Sequence, residues 1–305
     1  MKNIQLGRSG LKVPVISVGC MRMIDIGLSG AETFIREAID MDAIFFDHAD
    51  IYGQGECERL FSKAINMTDD LREKMILQSK CGIASEMYDS SKEHILKAVE
   101  GSLQRLKTDY LDVLLIHRPD ALVEPEEVAE AFAHLHSSGK VRHFGVSNHN
   151  PMQIQLLEKY LNQPIVANQL QMSIMHAGMI DNGMHVNMLD ESAVMRDGSA
   201  LDFCRLNDIT VQPWSPFQSG FFDGVFLGDE RYPKINHVID DIAKKYSVSN
   251  TTIAMAWLLR HPAKLNPVTG TMNISRLKEC LAATNITLSR EDWYQIYLAA
   301  GYTLP

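Results

Sequence analysis

Eight short apolar runs alternate with segments of helical spacing along this chain, and that alternation limits its fold more than any other feature. β-Branched or apolar runs fall near 15–18, 43–46, 75–78, 111–116, 141–146, 165–167, 210–212 and 265–268. Between them, helical periodicity marks 31–41, 57–65, 91–106, 125–137, 151–161, 199–206, 235–246 and 251–260. Such alternation builds parallel βα units. Within 305 residues the economical closure is a (β/α)8 TIM barrel. A doubly wound open sheet is the alternative, but its glycine fingerprint is missing, since Gly53-Gln54-Gly55 supplies only half of it. The opening NIQLGRSGLKV reads as a short N-terminal hairpin that plugs the barrel floor. Ser29 is expected to cap the first helix, and Pro151 to sit in the first turn of another. No linker interrupts the pattern, so 1–305 is expected to form a single barrel domain. The long unassigned stretch 173–198 implies extended loops on the C-terminal face.

Composition narrows the partners. A formal charge of −9 argues against a nucleic-acid or anionic-membrane surface. No apolar run approaches the ~20 residues of a membrane span, and the N-terminus lacks the apolar core of a signal peptide. The five cysteines are scattered and form no C-x-x-C, so neither a disulfide framework nor a zinc site is expected. A cytoplasmic protein, monomeric or weakly homo-oligomeric, fits these features.

In a barrel of this type the chemistry collects at the C-terminal strand ends. Strand two ends in Asp47 and leads to Tyr52, and strand three ends in Ser79-Lys80. Strand four ends in His117-Arg118-Pro119-Asp120, five in Ser147-Asn148 and six in Asn168-Gln169. Strand seven ends in Trp214-Ser215-Pro216, and eight in Thr269-Gly270-Thr271. Each has a bland reading. An aspartate after a strand often caps a helix. A strand-closing lysine can simply reach solvent, and a histidine before Arg-Pro-Asp can be a satisfied loop residue. Their coincidence on one rim carries the functional argument. A free tyrosine, with a pKa near ~10, is a poor acid at neutral pH. A nearby ammonium lowers that value, and a carboxylate holds the lysine charged. A neutral imidazole orients a carbonyl oxygen. Asp47, Tyr52, Lys80 and His117 together would make a proton donor for an oxyanion on a reduced carbonyl.

These blocks resemble the aldo-keto reductase family over nearly the whole length. The likeness lies in GLKVPVISVGCMRM, FFDHADIYG, LQSKCG, DYLDVLLIHRPD, GKVRHFGVSNHN, ANQLQ, PWSPFQSG and PVTGTMNISRLKE, in that order. The resemblance implies the barrel fold, NADPH (NADP+) bound across the barrel mouth, and reduction of an aldehyde or ketone. Carried over by motif, Tyr52 would be the proton donor, tuned by Lys80 and Asp47, with His117 orienting the carbonyl. Ser147, Asn148 and Gln169 would hold the nicotinamide carboxamide, and Trp214 would stack on its ring. Gly19 and Met21 would line the cofactor site. Ser215, Pro216, Phe217, Gln218, Ser219 and Gly220 would embrace the pyrophosphate. Gly270, Thr271, Met272, Asn273 and Arg276 would lie at the adenosine 2′-phosphate, with Glu279 and Cys280 at the adenine end. Gly270 stands where some members carry a phosphate-binding lysine, and Cys280 where asparagine is common. Both changes bear on the NADPH preference. His48 stands where many members have a small residue or threonine; it either tunes the site or fills space.

Substrate choice is the least legible feature. Met21, Met23, Tyr88 and Phe217 are candidates for an apolar pocket over the nicotinamide. The methionine-rich stretch 171–195 either adapts to ligands or packs beneath a loop. Two other functions remain open at this level. One is an NADPH-binding redox-sensing subunit with little turnover. The other is an aldolase using Lys80 as a Schiff base.

Overall fold

The computed structural model describes residues 2–85, 87–194, 198–221 and 223–304. Gly7, Ser9 and Gly10 turn the chain between β1 (Asn3–Gln5) and β2 (Lys12–Pro14), which pair antiparallel with Ile4 opposite Val13. The hairpin closes the floor of a barrel, as its sequence implies. Leu6 and Val13 are buried in one cluster with Phe45, Ile76, Val113, Leu115, Val166 and Ala167. Gly7 is required here: its φ is +49°, and a Cβ would lie 2.3 Å from the Val166 carbonyl oxygen.

The barrel strands follow in order, each leading into one or more helices. β3 (Ser17–Gly19) precedes α1 (Gly27–Asp40), and β4 (Phe45–Asp47) precedes α2 (Glu56–Ala64) and the short α3 (Asp69–Arg72). β5 (Ile76–Cys81) leads to α4 (Lys92–Leu106), β6 (Leu111–Ile116) to α5 (Pro125–Ser137) and β7 (Val141–Ser147) to α6 (Pro151–Glu158). β8 (Ile165–Gln171) is followed by α7 (Gly178–Met184) and α8 (Ala200–Leu206). β9 (Thr210–Trp214) leads to α9 (Pro233–Tyr246) and α10 (Asn250–Leu259). β10 (Val268–Thr269) leads to α11 (Ile274–Ala282) and α12 (Arg290–Ala299). The closed order is β10-β3-β4-β5-β6-β7-β8-β9, parallel throughout. No described helix is long and apolar enough to cross a membrane.

Strand parity sets the two cores. In β6, Val113 and Leu115 face the barrel interior, while Leu114 and Ile116 face the helices. The outer core joins these to Phe34, Phe61, Phe132, Phe144, Ile239 and Trp257. Strands three to seven of the barrel fall where the apolar runs place them. The last is displaced, because Pro267 has no N–H for the ladder and only Val268–Thr269 pair with β3 and β9. Pro151 takes the first turn of α6, behind an Asn150–Gln153 capping box. Ser29 does not cap α1. The helix begins at Gly27 with no side-chain cap, and Ser29 lies inside it, its carbonyl accepting from Thr33 Oγ1.

The methionine-rich stretch settles mainly as packing. Met172 is fully buried, and Met175, Met179 and Met184 pack against the outer core. Met188 is exposed, and Met195 lies outside the described residues.

Candidate active site

β4 and β5 are paired so that Asp47 lies opposite Gln78. Gln78 and Lys80 share one parity in β5, which points both into the barrel mouth rather than at the helices. There Lys80, fully buried, donates 2.8 Å to Asp47 Oδ2, 2.8 Å to the His48 carbonyl and 3.0 Å to the Tyr52 hydroxyl oxygen. Those three acceptors match the three N–H bonds of an ammonium. Burial pushes the lysine pKa down, but the Asp47 carboxylate and Tyr52 oxygen outweigh it, and the net shift is upward. The side chain is therefore a held cation, not a neutral nucleophile.

Tyr52 departs from expectation. Burial raises its pKa more than the Lys80 charge lowers it, and Asp47 adds to the rise, so the net shift is also upward. The phenol keeps its proton across neutral pH. Because Lys80 occupies a lone pair on the hydroxyl oxygen, the O–H proton is left for another acceptor. Tyr52 reaches this place through a turn in which Gly53, Gln54 and Gly55 all take positive φ. A Cβ on Gly55 would meet Arg105 Cδ at 2.8 Å. The two glycines thus serve a tight turn and not a nucleotide fingerprint.

Beneath the cluster lies a layer of amides. Gln78 Nε2 and Gln169 Nε2 donate to Asp47 Oδ1 at 2.6 and 3.1 Å. Both also donate to Gln212 Oε1, and Gln212 Nε2 donates to Asn266 Oδ1 at 3.0 Å. Ser17 Oγ donates to the same Asn266 oxygen. The Asp47 carboxylate is thus fixed on both oxygens, and Gln169 is turned to it. The sequence reading does not single out Gln78, Gln212 or Asn266. Their signal is a polar amide within or just before an otherwise apolar strand.

His117, after β6, meets the Tyr52 ring edge to face at a centroid distance of 6.0 Å. Burial, then the Lys80 and Arg118 charges, lowers its pKa to about 2. Its Nδ1 is buried without a partner, which favours the tautomer with the proton on Nε2. A neutral imidazole is then a fixed donor. Nuclear magnetic resonance of His117 between pH 5 and 8 is expected to show no titration. A midpoint near the ordinary ~6.5 would refute this assignment.

His48 is fully buried with both ring nitrogens unpartnered, and lies edge to face on Phe61 at 4.7 Å. Burial, then Lys80, lowers its pKa to about 3. It fills space as a neutral ring, and its carbonyl holds Lys80. Asp50 leaves the cluster. It lines a separate cleft of about 560 Å³ with Ile51, Gln54, His94, Lys97 and Arg105. Burial, then the Glu58 charge, raises its pKa to about 7.

Around this centre the strand ends supply the proposed cofactor positions. Ser147 Oγ donates to the Gln169 carbonyl, and Asn148 Nδ2 to Ser147 Oγ. Trp214 Nε1 donates to Asn148 Oδ1 at 3.3 Å, so β7 and β9 are tied across the mouth. Asn148 and Ser215 both hold positive φ, 60° and 52°, a conformation costly for residues other than glycine and concentrated at functional loops. Ser215, Phe217, Ser219 and Gly220 are partly exposed, while Pro216 and Gln218 are buried. Met21 is exposed and Gly19 buried. Gly270, Thr271, Met272 and Glu279 are partly exposed, and Asn273 and Arg276 are exposed. Asn273 caps the nine-residue α11 by accepting from Arg276 N. Free N–H groups there and the exposed guanidinium suit an anion. Cys280 has no accessible surface, and its thiol faces Thr269 Oγ1. Residues on two rim loops, 215–220 and 270–276, therefore fit an extended, phosphate-bearing nucleotide. Cys280 is not brought to that surface.

Residues 16–299 match the family model described as Aldo/keto reductase family. The chain is 36% identical over 320 residues to the uncharacterized oxidoreductase YcsN of Bacillus subtilis, covering 100% of each. It is 33% identical to a protein of Novosphingobium aromaticivorans named 6-dehydroglucose reductase, covering 99% of this chain and 96% of that one. Among solved structures, the thermostable aldo-keto reductase Tm1743 in complex with the inhibitor epalrestat superposes with a TM-score of 0.76. It is 27% identical, and the match covers 98% of this chain and 100% of that one.

Proposed function

The chain belongs to the aldo/keto reductase family, and from that membership we propose that it reduces an aldehyde or ketone to an alcohol with NADPH, Tyr52 giving the proton. The observation that carries this reading is the acceptor role of the Tyr52 oxygen toward Lys80, which leaves its O–H free to donate. NADPH, when bound, supplies the hydride. The chain supplies the rest. His117 Nε2–H and the Tyr52 O–H both donate to the carbonyl oxygen, aligning and polarising it. As charge gathers on that oxygen it becomes a far stronger base than a phenolate, so Tyr52 transfers its proton despite an upward-shifted pKa. The Lys80 ammonium stabilises the phenolate left behind, and Asp47, gripped by Gln78 and Gln169, keeps Lys80 in place. Trp214, anchored by Asn148, would offer a flat face to the nicotinamide ring. The relative named 6-dehydroglucose reductase supports a carbonyl substrate of this class. Under the aldolase reading Lys80 would be a neutral nucleophile, and its three hydrogen bonds oppose that.

Fluorescence tests the cofactor assignment. The chain has three tryptophans, and Trp257 and Trp293 stack on each other at 4.7 Å away from the mouth. NADPH is expected to quench emission, with a smaller quench in Trp214→Phe and weaker binding of NADH. If neither nucleotide binds, the reading falls.

A further inference from the structure

Arg118 follows His117 at the end of β6, and its guanidinium lies 6.0 Å from the ring centroids of both Trp214 and Phe221. Those rings meet edge to face at 6.1 Å. An arginine is charged at all working pH values and has five N–H donors to satisfy. Other arginines here satisfy theirs with acids: Arg72 and Arg142 with Asp112, Arg105 with Glu58, Arg231 with Asp229. Among the described residues Arg118 has no carboxylate and no hydrogen-bond acceptor. Asp120, two residues on, is committed elsewhere, accepting from the Ser90 and Leu122 N–H groups. With Lys80 neutralised by Asp47 and His117 uncharged, Arg118 is, among the described residues, an uncompensated cation next to His117.

We infer that Arg118 is a specificity-determining residue that grips a carboxylate on the substrate, so that the preferred substrates are carbonyl compounds bearing an anionic carboxylate. This deepens, and rests on, the carbonyl-reduction reading above. The planar guanidinium fork matches a carboxylate on two parallel hydrogen bonds. The Trp214 and Phe221 rings lie beside it, and the exposed Met21 and Tyr88 belong to other rim loops that can cover an apolar substrate body. A neutral hydroxylated substrate would be served as well by an amide; the unspent charge is what selects an anion. The loops proposed for the nucleotide phosphates follow β9 and β10; β6 lies opposite β10 in the closed order, but Phe221 adjoins the 215–220 loop, so NADPH affinity in the variant is what separates a substrate carboxylate from a nucleotide phosphate.

The test compares 3- and 4-formylbenzoate with their methyl esters, in the full-length wild type, Arg118→Met and Arg118→Lys. The wild type is expected to show a higher kcat/KM for the acids. That acid-to-ester ratio should fall by about 10- to 100-fold in Arg118→Met and be partly kept in Arg118→Lys. Calorimetric titration with the product alcohol, 4-(hydroxymethyl)benzoate, reads the site without turnover, and its binding should be lost in Arg118→Met. An acid-to-ester ratio at or below one in the wild type, or unchanged in the variant, overturns the inference. So does a variant that loses NADPH affinity while keeping the ratio, which would assign Arg118 to a nucleotide phosphate. If no aldehyde is reduced with either nucleotide, the reduction reading fails separately. The titration then decides: binding lost in Arg118→Met sustains the anion site, and equal binding ends it.

Discussion

Tyr52→Phe is expected to lower kcat for carbonyl reduction by about 10²- to 10⁴-fold, the range for loss of one general acid. NADPH affinity, read from the Trp214 quench, should not change with it. The substitution removes one oxygen and leaves the ring against His117. The readout is single-turnover oxidation of NADPH in a stopped-flow instrument, which separates the chemical step from product release. The upward-shifted phenol adds a second signature. In the wild type the reduction rate should stay level through neutral pH and fall only above the ordinary tyrosine value of ~10, as the proton to be donated is lost. A falling limb between pH 7 and 9 would mean that Lys80 outweighs burial after all. A Tyr52→Phe enzyme with wild-type rate would remove Tyr52 from the mechanism.

The barrel and its centre are legible in the sequence for different reasons. The strands are legible because parallel strands buried on both faces must be short apolar runs, as at Leu111–Ile116. Asp47, Tyr52, Lys80 and His117 are legible because polar residues at the ends of such runs break the pattern together. The hairpin plug is legible in its turn residues. What escapes is what tertiary contact decides. α7 contains two glycines in seven residues and has little intrinsic helix preference. It is pinned by the Tyr297 hydroxyl on Asp181 and by the Tyr302 hydroxyl accepting from Ala177 N. α12 had a local signal, the Ser289 cap accepting from Asp292 N ahead of Trp293, Ile296 and Tyr297 on one face. Its bulky aromatic residues mask the helical spacing. The amide layer escapes because residues far apart in sequence, Gln78, Gln169, Gln212 and Asn266, become neighbours only when the barrel closes. The direction of the Tyr52 shift escapes for the same reason. Spacing shows that an ammonium is near, but only the packed structure shows how much water has been removed.

Lys80→Met is expected to cost about 3–5 kcal/mol of stability, because it strands the Asp47 carboxylate at 2% exposure without its cation. The Gln78 and Gln169 amides remain, but neutral donors do not replace a charge in a water-excluded site. Lys80→Met with Asp47→Asn removes both charges and should recover most of that loss, since a buried ion pair replaced whole is often near neutral. Urea unfolding of the wild type, both single variants and the double variant gives the coupling energy directly. The pH dependence has a definite sign. The folded pKa of Lys80 is raised above its unfolded value, so its contribution is fully present below the ordinary lysine value of ~10.4. It is lost as pH rises through the folded value, and that alkaline loss should shrink in Lys80→Met. Stability and chemistry part company in the double variant. Its fold is restored, but no ammonium remains to stabilise the Tyr52 phenolate, so carbonyl reduction should stay as low as in Lys80→Met. If activity returned with stability, Lys80 would be only a structural partner of Asp47. If neither returned, the amide layer itself would depend on the Asp47 charge, since Asp47 Oδ1 is the acceptor that Gln78 and Gln169 share.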